Sequence, residues 1–155
     1  MTAPAERRSA PRIPRHARHQ AREAALQMLY QWEVGRASMA DVLRTFWLHD
    51  EPPASDLPDE HRAFAEALAT GVTDQVGNLD PLIAEAAEHW RLERMNVMDR
   101  LILRLAVYEF LHEPETPARV IINEALELAR TFSHDEAVRF INGLLDAIRR
   151  RLSRE

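Results

Sequence analysis

Residues 119–150 read RVIINEALELARTFSHDEAVRFINGLLDAIRR, and this stretch decides the fold that the sequence predicts. Its apolar residues recur every three or four positions in two blocks, as expected for two helices that each bury one face. Ser133 precedes Glu136 by three positions, a spacing typical of a capping box at the start of the second helix. The apolar stripes are Ile121, Ala125, Leu128 and Phe132 in the first block, and Ala137, Ile141, Leu144, Leu145, Ile148 and Leu152 in the second.

Two residues of the second helix do not fit a simple amphipathic pattern. Gly143 falls in the middle of the helix, where glycine costs about 1 kcal/mol relative to alanine unless close packing requires it. Phe140 lies at the edge of the apolar arc. An aromatic residue at that position either covers the core or presents its ring to a planar ligand, and the sequence leaves both open.

The rest of the chain predicts five more helices and no strand. The helix over Val97–His112, with Asn96 as its N-cap, is apolar on almost all sides, which indicates a central, buried position. Glu109 projects among its apolar residues, so we expect it to pair with an arginine inside the protein. Asp80 and Thr116 are candidate N-caps of neighbouring helices. The other predicted helices run from Arg15 to about Val34, from Met39 to His49, from Pro58 to about Gly77 and from Leu82 to His89.

Composition excludes several functional classes. The 155 residues contain no cysteine and only four glycines, so thiolate chemistry and a glycine-rich phosphate loop are excluded. The seven histidines are scattered, and no nucleophile stands beside a candidate base, so we expect no metal site, no cofactor and no enzyme activity. Carboxylates at helical spacing, such as Glu124 with Glu127, are expected on solvated faces. No segment has the pattern of a membrane span or a secretion signal, which predicts a cytoplasmic protein.

Positive charge is concentrated at the amino end. Residues 1–22 hold six arginines and one glutamate, whereas the whole chain has a net charge of −5. Prolines 4, 11 and 14 prevent a helix over residues 1–14, which we predict to be a disordered Arg/Pro-rich arm. A cationic stripe at helical spacing follows, and it is typical either of a binding site for an anionic partner such as nucleic acid or of a solvated charged face. Its members are Arg15, Arg18, His19 and Arg22.

Four strings resemble the family of the bacterial transcription antitermination factor NusB. They are V-I-I-N-E-A-L-E-L-A-R-T-F, R-F-I-N-G-L-L-D, A-R-E-A-A-L-Q-M-L-Y-Q-W at residues 21–32 and M-D-R-L-I-L-R-L-A-V-Y-E at residues 98–109. The resemblance spans nearly all of residues 18–150. It implies an all-α fold of about seven helices in one domain, residues 15–152, made of two packed subdomains at about 15–78 and 80–152.

The resemblance also implies a function. Members of this family bind single-stranded boxA-type RNA together with NusE, a ribosomal protein that doubles as an antitermination factor. The complex keeps RNA polymerase transcribing, notably on ribosomal RNA operons. The family's RNA contacts correspond here to Arg15, Arg18, His19, Arg22 and Phe140, with Glu136 on the same flank of the helix as Phe140. Its NusE contacts correspond to Tyr30, Glu93 and Asp99.

One departure from the family keeps an alternative open. The family often has consecutive arginines just before A-R-E, where this chain has His19 and Gln20. A helical protein-interaction module without RNA binding, either monomeric or homodimeric, is therefore a second hypothesis. A third class, RNA cytosine methyltransferases with a NusB-like amino domain, needs a glycine-rich cofactor domain and a catalytic cysteine, and this sequence contains neither.

Overall fold

The computed structural model describes residues 15–48, 57–88 and 91–155, with side chains from residue 18 onward. Within these ranges the chain forms six α-helices and one short 3-10 helix, with no strand, so the predicted all-α class is confirmed. The arm predicted over residues 1–14 and the helix ends predicted at His49 and His89 lie outside the described residues. The helices are α1 (Arg15–Glu33), α2 (Met39–Phe46), α3 (Asp59–Ala86), α4 (Val97–His112), α5 (Ala118–Phe132) and α6 (Asp135–Arg151), with the 3-10 helix at Leu92–Arg94.

Helix α4 runs through the middle of the bundle and packs against α1, α3, α5 and α6. Every residue from Leu101 to Val107 is at most 6% exposed, as the nearly continuous apolar pattern predicts. The Asn96 side chain accepts a hydrogen bond from the amide of Met98 at 2.8 Å, which confirms the predicted N-cap. This central helix positions the surfaces described below, because the helices that carry them all pack against it.

Helices α5 and α6 are the pair predicted from residues 119–150. Their apolar stripes are buried, apart from Phe132 and Leu152, which are half-buried. The predicted capping box is wrong, because α6 begins after His134 and has no side-chain cap. Ser133 instead donates its hydroxyl to the Asp99 carboxylate on α4 at 2.7 Å. The predicted N-cap at Thr116 is also wrong, since α5 begins after Pro117 and Thr116 is buried.

Helix α3 is one continuous helix, where two helices with a joint at residues 78–81 were predicted. Pro81 lies inside it and removes one backbone hydrogen bond. Packing holds the helix together across this point, because Leu79 and Ile83 on either side are fully buried. Asp80, predicted as an N-cap, instead accepts two 2.8 Å hydrogen bonds from Arg104 on α4. The predicted subdomain boundary near residue 79 falls inside this helix.

The last residues fasten the joint between α4 and α5. The Arg154 guanidinium donates to the carbonyl oxygens of Phe110 at 2.9 Å, Glu113 at 2.6 Å and Thr116 at 2.8 Å. The first amide of α5, on Ala118, donates to the carbonyl of Glu155 at 2.9 Å. Carbonyls at a helix end lack partners within the helix, so a cation at this position satisfies them and also complements the helix dipole. We call Arg154 and Glu155, which make these contacts, the C-terminal clamp.

Candidate nucleic-acid and protein interfaces

The start of α1 does not present the cationic stripe that the sequence predicts. Arg22 is only 2% exposed and faces α4, where it forms a buried ion pair with Glu109. Its Nη2 lies 2.7 Å from Oε1 of Glu109, and its Nε lies 3.1 and 3.0 Å from the two carboxylate oxygens. Its guanidinium carbon also lies 5.8 Å from the centroid of the Phe64 ring. The assignment of Arg22 to an exposed RNA-binding stripe is therefore wrong, whereas the expected internal arginine partner of Glu109 is confirmed.

The Glu109 carboxyl is one of the most enclosed charged groups in the protein. Its removal from water raises the pKa of Glu109 above the ordinary value, and the nearby carboxylates of Glu113 and Glu124 act in the same direction. The Arg22 guanidinium opposes this shift through charge attraction and hydrogen bonding. The ion pair thus places α1 on α4 in one register, because sliding either helix would leave a charge buried alone.

His19 is also held within the protein. Its Nδ1 lies 2.7 Å from Oε2 of Glu124 on α5, and its Nε2 lies 3.0 Å from Oε1 of Glu23. Glu124 is only 4% exposed, so the prediction that it lies on a solvated face is wrong. The sequence contained a signal, because position 124 falls three residues after Ile121 and four before Leu128, within the buried stripe. Glu124 also lies 3.9 Å from Nη1 of Arg22.

Arg18 and Arg15 are the two remaining members of the stripe. Arg18 is half-buried, and its Nε has no hydrogen-bond partner among the described residues. Arg15 begins α1, but its side chain lies outside the described residues. Since Arg22 and His19 are paired with carboxylates, Arg18 is the one stripe cation with a described side chain that no ion pair among the described residues accounts for.

Phe140 and Glu136 lie on one flank of α6. Glu136 is exposed in the first turn, and Phe140 is half-buried, with its ring packed against the core. Both interpretations of Phe140 are therefore partly met, because the ring covers the core and is still accessible. Among the described residues, no ion pair or side-chain hydrogen bond joins Glu136 to Arg18, His19 or Arg22. The predicted RNA-binding residues thus form two groups, one on α1 and one on α6.

The residues predicted to meet a protein partner are unequally exposed. Tyr30 is 43% exposed on α1, and Glu93 is exposed on the 3-10 helix. Asp99 is only 6% exposed and accepts the Ser133 hydroxyl, so its carboxylate is bound inside the protein. Reversal to arginine would bury a cation in place of a satisfied carboxylate.

Arg100 ties together the two segments that carry these exposed residues, and no sequence pattern indicates this role. Its Nη2 lies 2.7 Å from Oε1 of Glu33 at the end of α1, and its Nη1 donates to the carbonyl of Leu92 at 3.0 Å. The end of the helix that carries Tyr30 is therefore tied to the 3-10 helix that carries Glu93. We call the surface that presents Tyr30 and Glu93 the α1–3-10 surface.

The described ranges contain neither a candidate metal site nor a candidate membrane span. No group of three or more His, Asp or Glu side chains there could hold a metal ion. None of the helices in those ranges is both long and apolar enough to span a membrane.

Comparison with protein families gives one match that covers most of the chain. The model of the NusB family matches residues 19–150. The transcription antitermination protein NusB of Koribacter versatilis is 47% identical over 138 residues, which are 89% of this chain and 92% of that protein. The corresponding protein of Solibacter usitatus is 43% identical over 136 residues, which are 88% of this chain and 90% of that protein.

Solved structures share the arrangement of helices. NusB from T. maritima superimposes with a TM-score of 0.76 at 31% identity, over 86% of this chain and 90% of that one. NusB in a solved complex of antitermination factors NusB and NusE with dsRNA superimposes with a TM-score of 0.77. That chain is 19% identical, with 88% of this chain and 98% of the other covered, so it supports the fold alone.

Proposed function

This chain belongs to the NusB family of transcription antitermination proteins, and from that premise we propose that it binds single-stranded boxA-type RNA together with NusE. In this proposal the complex joins RNA polymerase in the bacterial cytoplasm and supports processive transcription of ribosomal RNA operons. The observation that carries it is the family match over residues 19–150, at up to 47% identity to curated transcription antitermination proteins. A chain with the same fold has been solved together with NusE and dsRNA, and we extend a protein partner and an RNA partner, here single-stranded, to this chain as part of the proposal.

We assign the RNA site to both groups of residues described above, with different roles. Arg15 and Arg18 at the start of α1 contact phosphates, which contributes affinity that depends on salt and hardly on sequence. Phe140 stacks on a base, with Glu136 beside it on α6. His19 borders the phosphate contacts while it is held by Glu23 and Glu124. Arg22 has no place in this site, because its guanidinium is buried against Glu109.

Two substitutions separate the stacking contribution from the phosphate contribution. Phe140→Ala should weaken RNA binding by about 1–3 kcal/mol, nearly equally at every salt concentration, because stacking releases no counterions. Arg18→Ala should instead flatten the slope of log affinity against log salt by about 0.7. Fluorescence anisotropy with a labelled boxA-type RNA at three salt concentrations, in the presence of NusE, measures both quantities.

Arg44→Ala is the matched control for the arginine. Arg44 is 72% exposed on α2 and pairs with Asp41, so its removal should leave both RNA affinity and the salt slope unchanged. Binding of Phe140→Ala at wild-type strength would show that this ring serves only the core. If the wild-type protein with NusE shows no salt-dependent RNA binding, the RNA-binding function itself is wrong.

The second partner, NusE, is assigned to the α1–3-10 surface. Glu93→Arg should weaken the association with NusE about ten-fold or more, because it reverses a charge on an exposed contact. The isolated variant should keep its wild-type thermal midpoint, since Glu93 is not buried. Isothermal titration calorimetry measures the affinity, and Glu115→Arg in the exposed α4–α5 loop is the matched charge reversal. Equal affinities for Glu93→Arg and wild type would remove Glu93 from the interface. Asp99 is buried and bound to Ser133, so it is not a suitable test residue.

One observation favours a second candidate function. The expected cationic stripe is reduced by the pairing of Arg22 with Glu109 and of His19 with two carboxylates. A protein-interaction module without RNA binding, monomeric or homodimeric, would not need a larger exposed cationic stripe. The same anisotropy experiment distinguishes the two, because such a module binds NusE but leaves the RNA free. Sedimentation velocity on the isolated chain reports whether it is a monomer or a homodimer.

A further inference from the structure

Three glycines lie inside helices, and two of them have a reason within the protein. At Gly71 on α3, an added Cβ would overlap the ring of Tyr108 on α4, so glycine permits that ring to pack on the helix. At Gly77, the carbonyl is four residues before Pro81, whose ring crowds it and leaves it without an amide donor. A residue without Cβ gives the backbone freedom to adjust there.

Gly143, in the middle of α6, has no comparable reason. It is exposed, and an added Cβ would meet nothing within 4 Å, so the packing that would justify a glycine is absent from the described chain. Its φ is not positive, and thus it uses none of the conformations that favour glycine. Glycine at this position still costs the helix about 1 kcal/mol relative to alanine. A glycine that weakens its own helix, and on which no described residue packs, indicates a close approach by a group other than the described residues.

The neighbours of Gly143 indicate the chemistry of that approach. Phe140 lies three residues before Gly143 and Arg139 lies four residues before it. Residues at these spacings are neighbours on a helix surface, with about 5–6 Å between their Cβ positions. Arg139 is exposed and forms no ion pair with a carboxylate among the described residues. Arg150, seven residues after Gly143 on the same outer face, is 72% exposed and pairs with Asp146.

We propose that Gly143 is the crossing point at which the sugar–phosphate backbone of a single-stranded RNA passes over α6, with Arg139 contacting the adjacent phosphate. This inference rests on the proposed RNA-binding function and extends it beyond Phe140. A base stacked on Phe140 places the strand beside Gly143, where the missing side chain lets the strand lie directly on the helix. The bare helix surface is required for close approach, and the unpaired guanidinium supplies the charge.

A nucleic acid fits this face better than a protein partner. The cation at its centre, Arg139, is unpaired among the described side chains, and arginine favours phosphate because its planar group can donate two parallel hydrogen bonds. Except for the half-buried Phe140, no large apolar side chain accompanies Gly143 on the outer face, whereas protein interfaces are centred on buried apolar anchors. Strand passage also needs one close contact and not a wide flat surface.

The test compares Gly143→Ala with Gly77→Ala, which adds the same methyl group to an exposed helical glycine on another helix, α3. Gly143→Ala should raise the thermal midpoint by a few degrees, because alanine favours the helix. It should nevertheless weaken binding of a labelled single-stranded RNA of about 12 nucleotides by roughly ten-fold, since the methyl group occupies the place of the strand. Gly77→Ala should leave RNA affinity at the wild-type value.

Arg139→Ala provides the second measurement, with an expected decrease of about 0.7 in the salt slope. Gly143→Ala with wild-type RNA affinity would overturn the crossing point, even while Phe140→Ala weakens binding and the RNA function stands. Loss of affinity for NusE, with RNA affinity unchanged, would assign the face to the protein partner and also overturn it. If neither the wild type nor any variant binds RNA with NusE present, the proposed RNA-binding function is wrong. The crossing point depends on that function and is then wrong as well.

Discussion

Glu109→Ala is expected to lower the free energy of unfolding by about 3–5 kcal/mol, the cost of leaving a buried charge without its partner. The charge in question is that of Arg22, which is 2% exposed and would keep only Glu124, at 3.9 Å, as a near carboxylate. Urea denaturation followed by circular dichroism measures the change. The double variant Arg22→Met/Glu109→Leu should recover most of the loss, because apolar residues of similar size remove both charges.

An exposed ion pair with the same shortest distance provides the control. Arg44 and Asp41 are also 2.7 Å apart, but they are 72% and 56% exposed. Arg44→Ala should therefore cost less than about 1 kcal/mol. If Glu109→Ala were as mild as this control, the pair would not fix α1 on α4.

The buried pair also predicts how stability depends on pH. In Arg22→Met the Glu109 carboxyl loses its cation, so its pKa rises further above the ordinary 4.5. The folded variant then holds a proton that the unfolded chain releases. Its unfolding free energy should consequently fall as the pH rises from about 4.5 through the raised pKa, and its deficit relative to wild type should narrow in acid. A deficit that is constant between acid and neutral pH would contradict this reasoning.

Leu105→Ala is expected to cost about 2–5 kcal/mol, since it removes a large side chain from the middle of α4 and leaves a cavity. Leu105 is 1% exposed, and α4 packs against four other helices, so little of the cavity can be filled by relaxation. Leu111→Ala on the same helix is the control, because Leu111 is 39% exposed and should cost much less. The urea midpoints of the two variants measure the difference. A Leu105→Ala variant with the wild-type midpoint would contradict the central, buried position of α4.

The sequence predicted the fold best where one pattern extended over a long segment. Helix α4 was placed at its observed limits, because its apolar residues leave no solvent face and Asn96 marks its start. The prediction failed at α3, where Pro81 and Asp80 form a local start signal inside a longer helix. Packing of Leu79 and Ile83 and the two hydrogen bonds from Arg104 outweigh that signal, and both depend on residues distant in the sequence.

The candidate sites show the same limit more strongly. Helical spacing correctly placed Arg18, His19 and Arg22 on one side of α1, but spacing alone does not reveal whether that side faces water. That side faces the interior because Arg22 pairs with Glu109, 87 residues later, and His19 pairs with Glu124, 105 residues later. The need of Glu109 for an arginine could be read from the sequence, and combining it with the unassigned cations of α1 would have indicated the buried pair. Arg100 gave no such signal, since its partners are a distant carboxylate and a backbone carbonyl.

The C-terminal clamp affects the order in which the protein can be completed during synthesis. Arg154 donates hydrogen bonds to the carbonyls of Phe110, Glu113 and Thr116, which lie at the end of α4 and in the loop that follows. These residues precede Arg154 by 44, 41 and 38 positions. A nascent chain therefore carries the end of the central helix and its joint to α5 without the Arg154 hydrogen bonds until residue 154 has left the ribosome. Earlier helices can form and collapse onto α4 while translation continues. The joint between α4 and α5 can therefore take its native form only after the segment that carries Arg154 has been made and has folded back onto it.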